Sequence, residues 1–83
     1  MTRIAVVDDE IAILTSLRSA LEAEGYDVEV YADAAVALPK LISVPPNLVI
    51  LNGWMPGVNG IDFFLMFRKF AKVPVIFLSA DAD

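Results

Sequence analysis

Three positions carry residue types that can do chemistry, and each stands where an apolar run ends. Asp8-Asp9 closes Arg3 to Val7 (RIAVV), Asn52 closes Leu48 to Leu51, and Ser79 closes Val75 to Leu78. Two adjacent carboxylates with backbone carbonyls nearby suit a hard, oxygen-seeking cation. Mg²⁺ is the natural choice, because it binds through one or two carboxylates and keeps part of its water. A serine hydroxyl can hydrogen-bond a phosphoryl oxygen. Asn52 is the odd member: a carboxylate there could attack phosphorus or hold a metal, and a neutral amide does neither well.

Each position also has a plainer reading. Asp8-Asp9-Glu10 can be an acidic helix N-terminus, where carboxylates favour the macrodipole. Asn52-Gly53 can be a hairpin turn, but Trp54-Met55-Pro56-Gly57 does not read as a returning strand. Ser79 alone says almost nothing. The weight lies in three polar strand ends gathered together.

Composition removes other chemistry. The 83 residues contain neither His nor Cys, which excludes Ser-His-Asp and Cys-His mechanisms, disulfides and cysteine metal sites. The net charge of −5, from 11 acidic and 6 basic residues, argues against direct binding to nucleic acid or an anionic membrane. Leu41 to Ile61 is uncharged, but Pro45, Pro46, Pro56 and interspersed Gly and Asn make a spanning helix untenable. Met1 to Ile4 does not start a secretory signal. The expectation is one small cytoplasmic domain with an apolar content of 58%, enough to leave surface over for a partner.

The elements that position the three sites alternate along the chain. Arg3 to Val7 reads as a strand. Ile13, Leu14, Leu17, Ala20 and Leu21 recur at helical spacing, and Gly25 suits the C′ position of that helix. Asp27 to Tyr31 alternates with period two. Asp33 is a good N-cap for a helix from Ala34 to about Ser43, which Pro39 should kink or shorten. Pro45-Pro46 closes that unit. Leu48 to Leu51 is apolar throughout, as in a sheet covered on both faces. A third helix spans about Ile61 to Phe70, and Val73 to Leu78 is a fourth strand with Pro74 near its start. The order βαβαβαβ implies right-handed crossovers and a parallel sheet. Ligands of such sheets bind beyond the carboxyl ends of the strands, where Asp8-Asp9, Asn52 and Ser79 would meet.

The segments "VVDDE" (6–10), "LVILNGWMPGVNG" (48–60) and "VIFLSA" (75–80) resemble the receiver domain of two-component response regulators. The resemblance implies a flavodoxin-like, doubly wound α/β sheet. That fold has five βα units; here there are three and a fourth strand. The fourth helix, fifth strand and fifth helix are without counterpart, so residues 1–83 read as a partial receiver domain. By the same resemblance Asp9 is the direct Mg²⁺ ligand, Asp8 its water-mediated partner and the Trp54 backbone carbonyl a third ligand. Ser79 is the hydroxyl that senses the phosphoryl group, and Asn52 stands at the phosphoacceptor position, which is Asp in working receivers. The fifth-strand Lys and switch aromatic have no counterpart.

The resemblance implies a non-enzymatic phosphorelay module, with a sensor histidine kinase and an often DNA-binding output domain as partners. Asn52 implies that it is silent. Aspartyl phosphate forms by attack of a carboxylate, which an amide cannot supply, and Mg²⁺ binding through Asp8, Asp9, Asn52 and Trp54 should be weak or absent. The retained acids point to a recent or deliberate substitution in an otherwise competent receiver. A pseudo-receiver acting purely as an interaction or dimerisation module is the main alternative. A haloacid-dehalogenase-type phosphatase fragment is disfavoured, because Asp8-Asp9-Glu10-Ile11-Ala12 lacks the second Asp and the Thr or Val of that motif.

Two features concern surfaces. In the third helix Phe63, Phe64, Met66, Phe67 and Phe70 span a wide arc, with Ile61 and Leu65 opposite. Most of this reads as core, while Leu65 and Met66 are candidates for a contact patch. The fourth strand should be an apolar sheet edge, and part of the Leu14-Leu17-Leu21 stripe should lose cover, so a homodimer is expected.

Overall fold

The computed structural model describes residues 1–78, and Ser79 lies outside them. The chain runs β1 (Arg3–Val7), α1 (Ile11–Ala23), β2 (Asp27–Tyr31), α2 (Ala34–Ser43), β3 (Leu48–Asn52), β4 (Trp54–Met55), β5 (Val58–Asn59), α3 (Gly60–Arg68) and β6 (Val75–Leu78). The four long strands form one parallel sheet in the order β2-β1-β3-β6. The register places Val7 beside Tyr31 and Leu51, and Asn52 beside Leu78. All four strands therefore end on the same rim.

Burial on both faces explains the unbroken apolar strands. Ala5, Val7, Val49 and Leu51 face α2 and α3, together with Ala37, Leu41, Phe63 and Phe67. Ile4, Val6, Val28 and Ile50 face the other way, against Leu14 of α1. The first group is the larger because two helices cover that face.

Helix ends follow local chemistry. At the end of α1, Gly25 adopts φ +93°, and its N–H donates to Glu22 O while Tyr26 N–H donates to Leu21 O. This is the paired closure that a left-handed C′ residue permits. Asp33 caps α2 by accepting Ala35 N–H at 2.8 Å, and Asn59 caps α3 by accepting Ile61 N–H at 2.8 Å.

The structure corrects the sequence reading at several points. Pro39 does not shorten α2, which continues to Ser43. The fully buried Ala37 and Leu41 on either side anchor the helix across the hydrogen bond that proline cannot make. Trp54-Met55 does form a strand, a two-residue one that pairs antiparallel with Val58-Asn59 around Pro56-Gly57. Gly57 supplies the positive φ of +71° at that turn. The last described strand begins at Val75, after Pro74, whose carbonyl accepts Val49 N–H. In α3 the wide aromatic arc is only partly core: Phe63 and Phe67 are buried, but Phe70 is exposed because the helix ends at Arg68. Ile61, Leu65 and Met66 are also exposed.

Candidate functional site

The carboxyl rim of β1 and β3 is built by strand geometry. Val6 and Val7 are fully buried and fix β1 up to its last residue, so the next residue, Asp8, is carried inside the rim. Its backbone N–H continues the ladder by donating to Tyr31 O at 3.0 Å. Asp8 is 1% exposed, whereas Asp9, one residue further, is exposed. Asn52, the last residue of β3, is buried opposite them.

The side chains form one network. Asp8 Oδ1 accepts the Glu10 backbone N–H at 2.8 Å, which ties the acid to the turn before α1. Asn52 Nδ2 donates to Asp8 Oδ1 at 3.4 Å and to Asp9 Oδ1 at 3.3 Å. Asn52 Oδ1 accepts the Trp54 backbone N–H at 2.9 Å. These partners fix the amide's orientation. Reversed, it would turn its oxygen toward two carboxylates and its NH₂ toward an N–H donor. All buried polar side-chain atoms among the described residues have a hydrogen-bond partner.

The arrangement has a clear electrostatic logic. Two carboxylates close together need a positive counterpart. A like-charge pair about 5 Å apart costs roughly 3 kcal/mol at an effective dielectric of about 20. Here the partial positive charge of the Asn52 NH₂ points at both acids. Both contacts are longer than the usual 2.9–3.0 Å or so of N–H···O bonds, so each is weak.

Asp8 and Asp9 also offer the oxygens a hard divalent ion prefers, and Asp9 opens onto a cleft of about 240 Å³ lined by Asp33, Met55, Pro56 and Val58. Among the described residues no three His, Cys, Asp or Glu side chains converge on a metal-sized site. An ion here would rely on two carboxylates, carbonyl oxygen and water. That set fits Mg²⁺ by type, but Asn52 as oriented presents its NH₂ rather than its oxygen.

Of the residues expected at the site, Asp8, Asp9 and Asn52 are brought together, and Trp54 joins them through its backbone N–H, the group opposite in kind to the carbonyl expected as a ligand, while its side chain is 71% exposed. Sequence reasoning missed the supporting parts. The Glu10 and Trp54 N–H groups leave no trace in residue type, since every non-proline residue has one. Asp33, read only as a cap, borders the cleft beside Asp9. Gly60 is a steric requirement: a Cβ there would lie 2.6 Å from Gly53 Cα. Gly60 N–H donates to Gly53 O at 3.2 Å, locking the β4–β5 hairpin onto the end of β3.

Comparisons with known proteins agree with this geometry. Residues 4–83 match the response regulator receiver domain. The transcriptional regulatory protein KdpE of Mycobacterium tuberculosis is 41% identical over 83 residues, all of this chain and 37% of the relative. The DNA-binding response regulator MtrA of Mycolicibacterium paratuberculosis is 38% identical over 81 residues, 98% of this chain and 36% of the relative. The chain thus spans about a third of these curated relatives. Among solved structures, the response regulator TrrA of Thermotoga maritima, in complex with the histidine kinase ThkA, superposes with a TM-score of 0.90 at 37% identity. That match covers 100% of this chain and 72% of TrrA. A parallel sheet with its acids on the carboxyl rim and a flavodoxin-like topology, joined to these matches, places the chain in the receiver-domain family of two-component response regulators.

Proposed function

We propose that residues 1–83 form a receiver unit in which phosphoryl acceptance is switched off at Asn52. The supporting observation is the Asn52 NH₂ directed at both Asp8 and Asp9. In this reading Asn52 occupies the acceptor position. Asp8, Asp9 and the Trp54 carbonyl hold Mg²⁺ weakly, and the Ser79 hydroxyl is the group that would meet a phosphoryl oxygen. Bound Mg²⁺ would neutralise charge on a phosphoryl group. This chain's part is to orient the acids, through Glu10 N–H, and to hold position 52, through Trp54 N–H. An amide at that position lacks the charged oxygen that attacks phosphorus. The partners in this reading are a sensor histidine kinase and an output domain, DNA-binding as in MtrA, in the cytoplasm.

The test is incubation with a small acyl phosphate and Mg²⁺, followed by intact-mass measurement. The unmodified mass is expected. A stable phosphorylated species would overturn the reading, and its localisation to Asp8 or Asp9 would point to a phosphatase-like nucleophile instead.

A second reading, an interaction module, is favoured by a separate observation. Trp54, Ile61 and Phe77 border one shallow hollow, and Phe77 stacks edge-on against Phe64 with ring centroids 5.7 Å apart. Beside them β6 is the sheet edge among the described residues, with Ile76 50% exposed. We assign this edge to a second copy of the chain. The strand is uncharged, so a two-fold axis brings no like charges together, and its outer edge, unpaired among the described residues, is complementary to itself.

A further inference from the structure

The chain contains two Asn-Gly pairs, Asn52-Gly53 and Asn59-Gly60, and the fold constrains the first tightly. Glycine has no side chain to shield its backbone nitrogen from the preceding asparagine amide. Four features at Asn52-Gly53 oppose attack. The Gly53 nitrogen, the nucleophile, donates its N–H to Leu78 O at 3.2 Å. The electrophilic amide is held at its oxygen by Trp54 N–H and at its nitrogen by Asp8 and Asp9. Asn52 is in an extended strand, which turns the next nitrogen away from its own side chain, and it is buried from water. Among the described residues, the element that ties down the nucleophile is β6, the strand that pairs with β3.

We propose that Asn52-Gly53 is a self-modification site that the β3–β6 pairing holds closed, and that parting of β6 from β3 releases it. In the open form the Gly53 nitrogen bonds to Asn52 Cγ and loses its proton to hydroxide. The Cγ–Nδ2 bond breaks, and the nitrogen takes a proton from water and leaves as ammonia, regenerating hydroxide. The resulting succinimide takes up water. Cleavage of its Cγ–N bond gives an aspartate at position 52, and cleavage of its backbone C–N bond gives isoaspartate. No oxidant or cofactor enters. The aspartate product places a third carboxylate beside Asp8 and Asp9. That this product restores an acceptor rests on the proposed role of position 52; the modification itself does not.

Local parting of one strand pair is a sub-global event with a lower free energy than whole-molecule unfolding. Conversion should therefore follow opening of β6 rather than global unfolding.

The experiment uses the full chain carrying Asn59→Asp, which retains a capping oxygen and removes the second Asn-Gly pair. Samples are held at mildly alkaline pH in buffer, in sub-denaturing urea and in fully denaturing urea, and position 52 is followed by peptide mapping. Expected is conversion roughly tenfold or more slower in buffer than in full denaturant, and rising in sub-denaturing urea in step with hydrogen exchange at Gly53 N–H. Gly53→Ala should slow the denatured-state reaction, and its added methyl would meet only Phe77 Cδ1, at 3.7 Å. Equal rates in buffer and denaturant would overturn the proposal, as would no conversion in denaturant or a rise only with global unfolding. Treating the converted chain with a phosphodonor is a separate arm. Phosphorylation at position 52 would support the acceptor reading, and the modification stands on conversion alone.

Discussion

Gly60 lies against Gly53 so closely that a Cβ on Gly60 would sit 2.6 Å from Gly53 Cα and 3.1 Å from its carbonyl carbon and oxygen. All three are backbone atoms and cannot swing aside. Gly60→Ala should push α3 away from the end of β3 and cost about 1–3 kcal/mol, as overpacking usually does. Urea unfolding of the variant against the parent measures it. Gly25→Ala is the contrasting control: open space surrounds it and only its positive φ is strained.

Asn52→Asp exchanges two N–H donations for a third negative charge at the acid pair. Without metal the variant should be less stable by about 1–3 kcal/mol. Millimolar Mg²⁺ should recover most of that loss, because ligand binding to the folded state alone raises its stability. The parent should respond little to the same ion. Urea midpoints with and without Mg²⁺ decide it, and an equal response of both proteins would refute the electrostatic account of Asn52.

Ile76→Lys places a charge on β6, the outer strand among the described residues, at a side chain that is half exposed and so tolerates it. The parent should show concentration-dependent association by light scattering, and the variant should shift toward monomer with its helical signal intact. A parent that is monomeric throughout would remove the self-pairing proposal.

The Tyr31 phenol is pushed above its ordinary 10.0, first by burial and then by the Glu29 carboxylate, with Arg3 pulling the other way. The folded state therefore holds this proton more tightly than the unfolded chain. Its contribution to stability is complete below the unfolded value of 10.0 and is lost as pH rises through the raised value. Tyrosinate absorbance in a Tyr26→Phe background should show the late titration, and Glu29→Gln should bring it earlier.

How far the sequence disclosed this molecule depended on what each element needed from its residues. Strands β1, β2 and β3 were legible because burial on two faces, or strict alternation, leaves a long enough pattern to read. Strands β4 and β5 were not, because two residues have no period, and only the turn at Pro56-Gly57 hints at the return. The faces of α3 were ambiguous, since apolar residues surround it and only the packing of Phe63 and Phe67 against the sheet shows which side is inside. At the site, Asp8 and Asn52 announced themselves as polar residues ending apolar strands. Their mutual hydrogen bonds, and the backbone donors of Glu10 and Trp54 that aim them, depend on geometry that no residue type encodes.

The central position of β1, paired with β2 on one side and β3 on the other, has a consequence for biosynthesis. β1 is translated before both of the strands it pairs with. Its partner β2 follows through a short crossover, but Leu48, which pairs with Ile4, is translated about 44 residues later. At about 5–20 residues per second, that interval is roughly 2–9 s. For that time a nascent β1–α1–β2 unit presents the uncovered flank of its most apolar strand, and the growing chain depends on prompt arrival of β3, or on a chaperone, to avoid pairing with a neighbour on the same message.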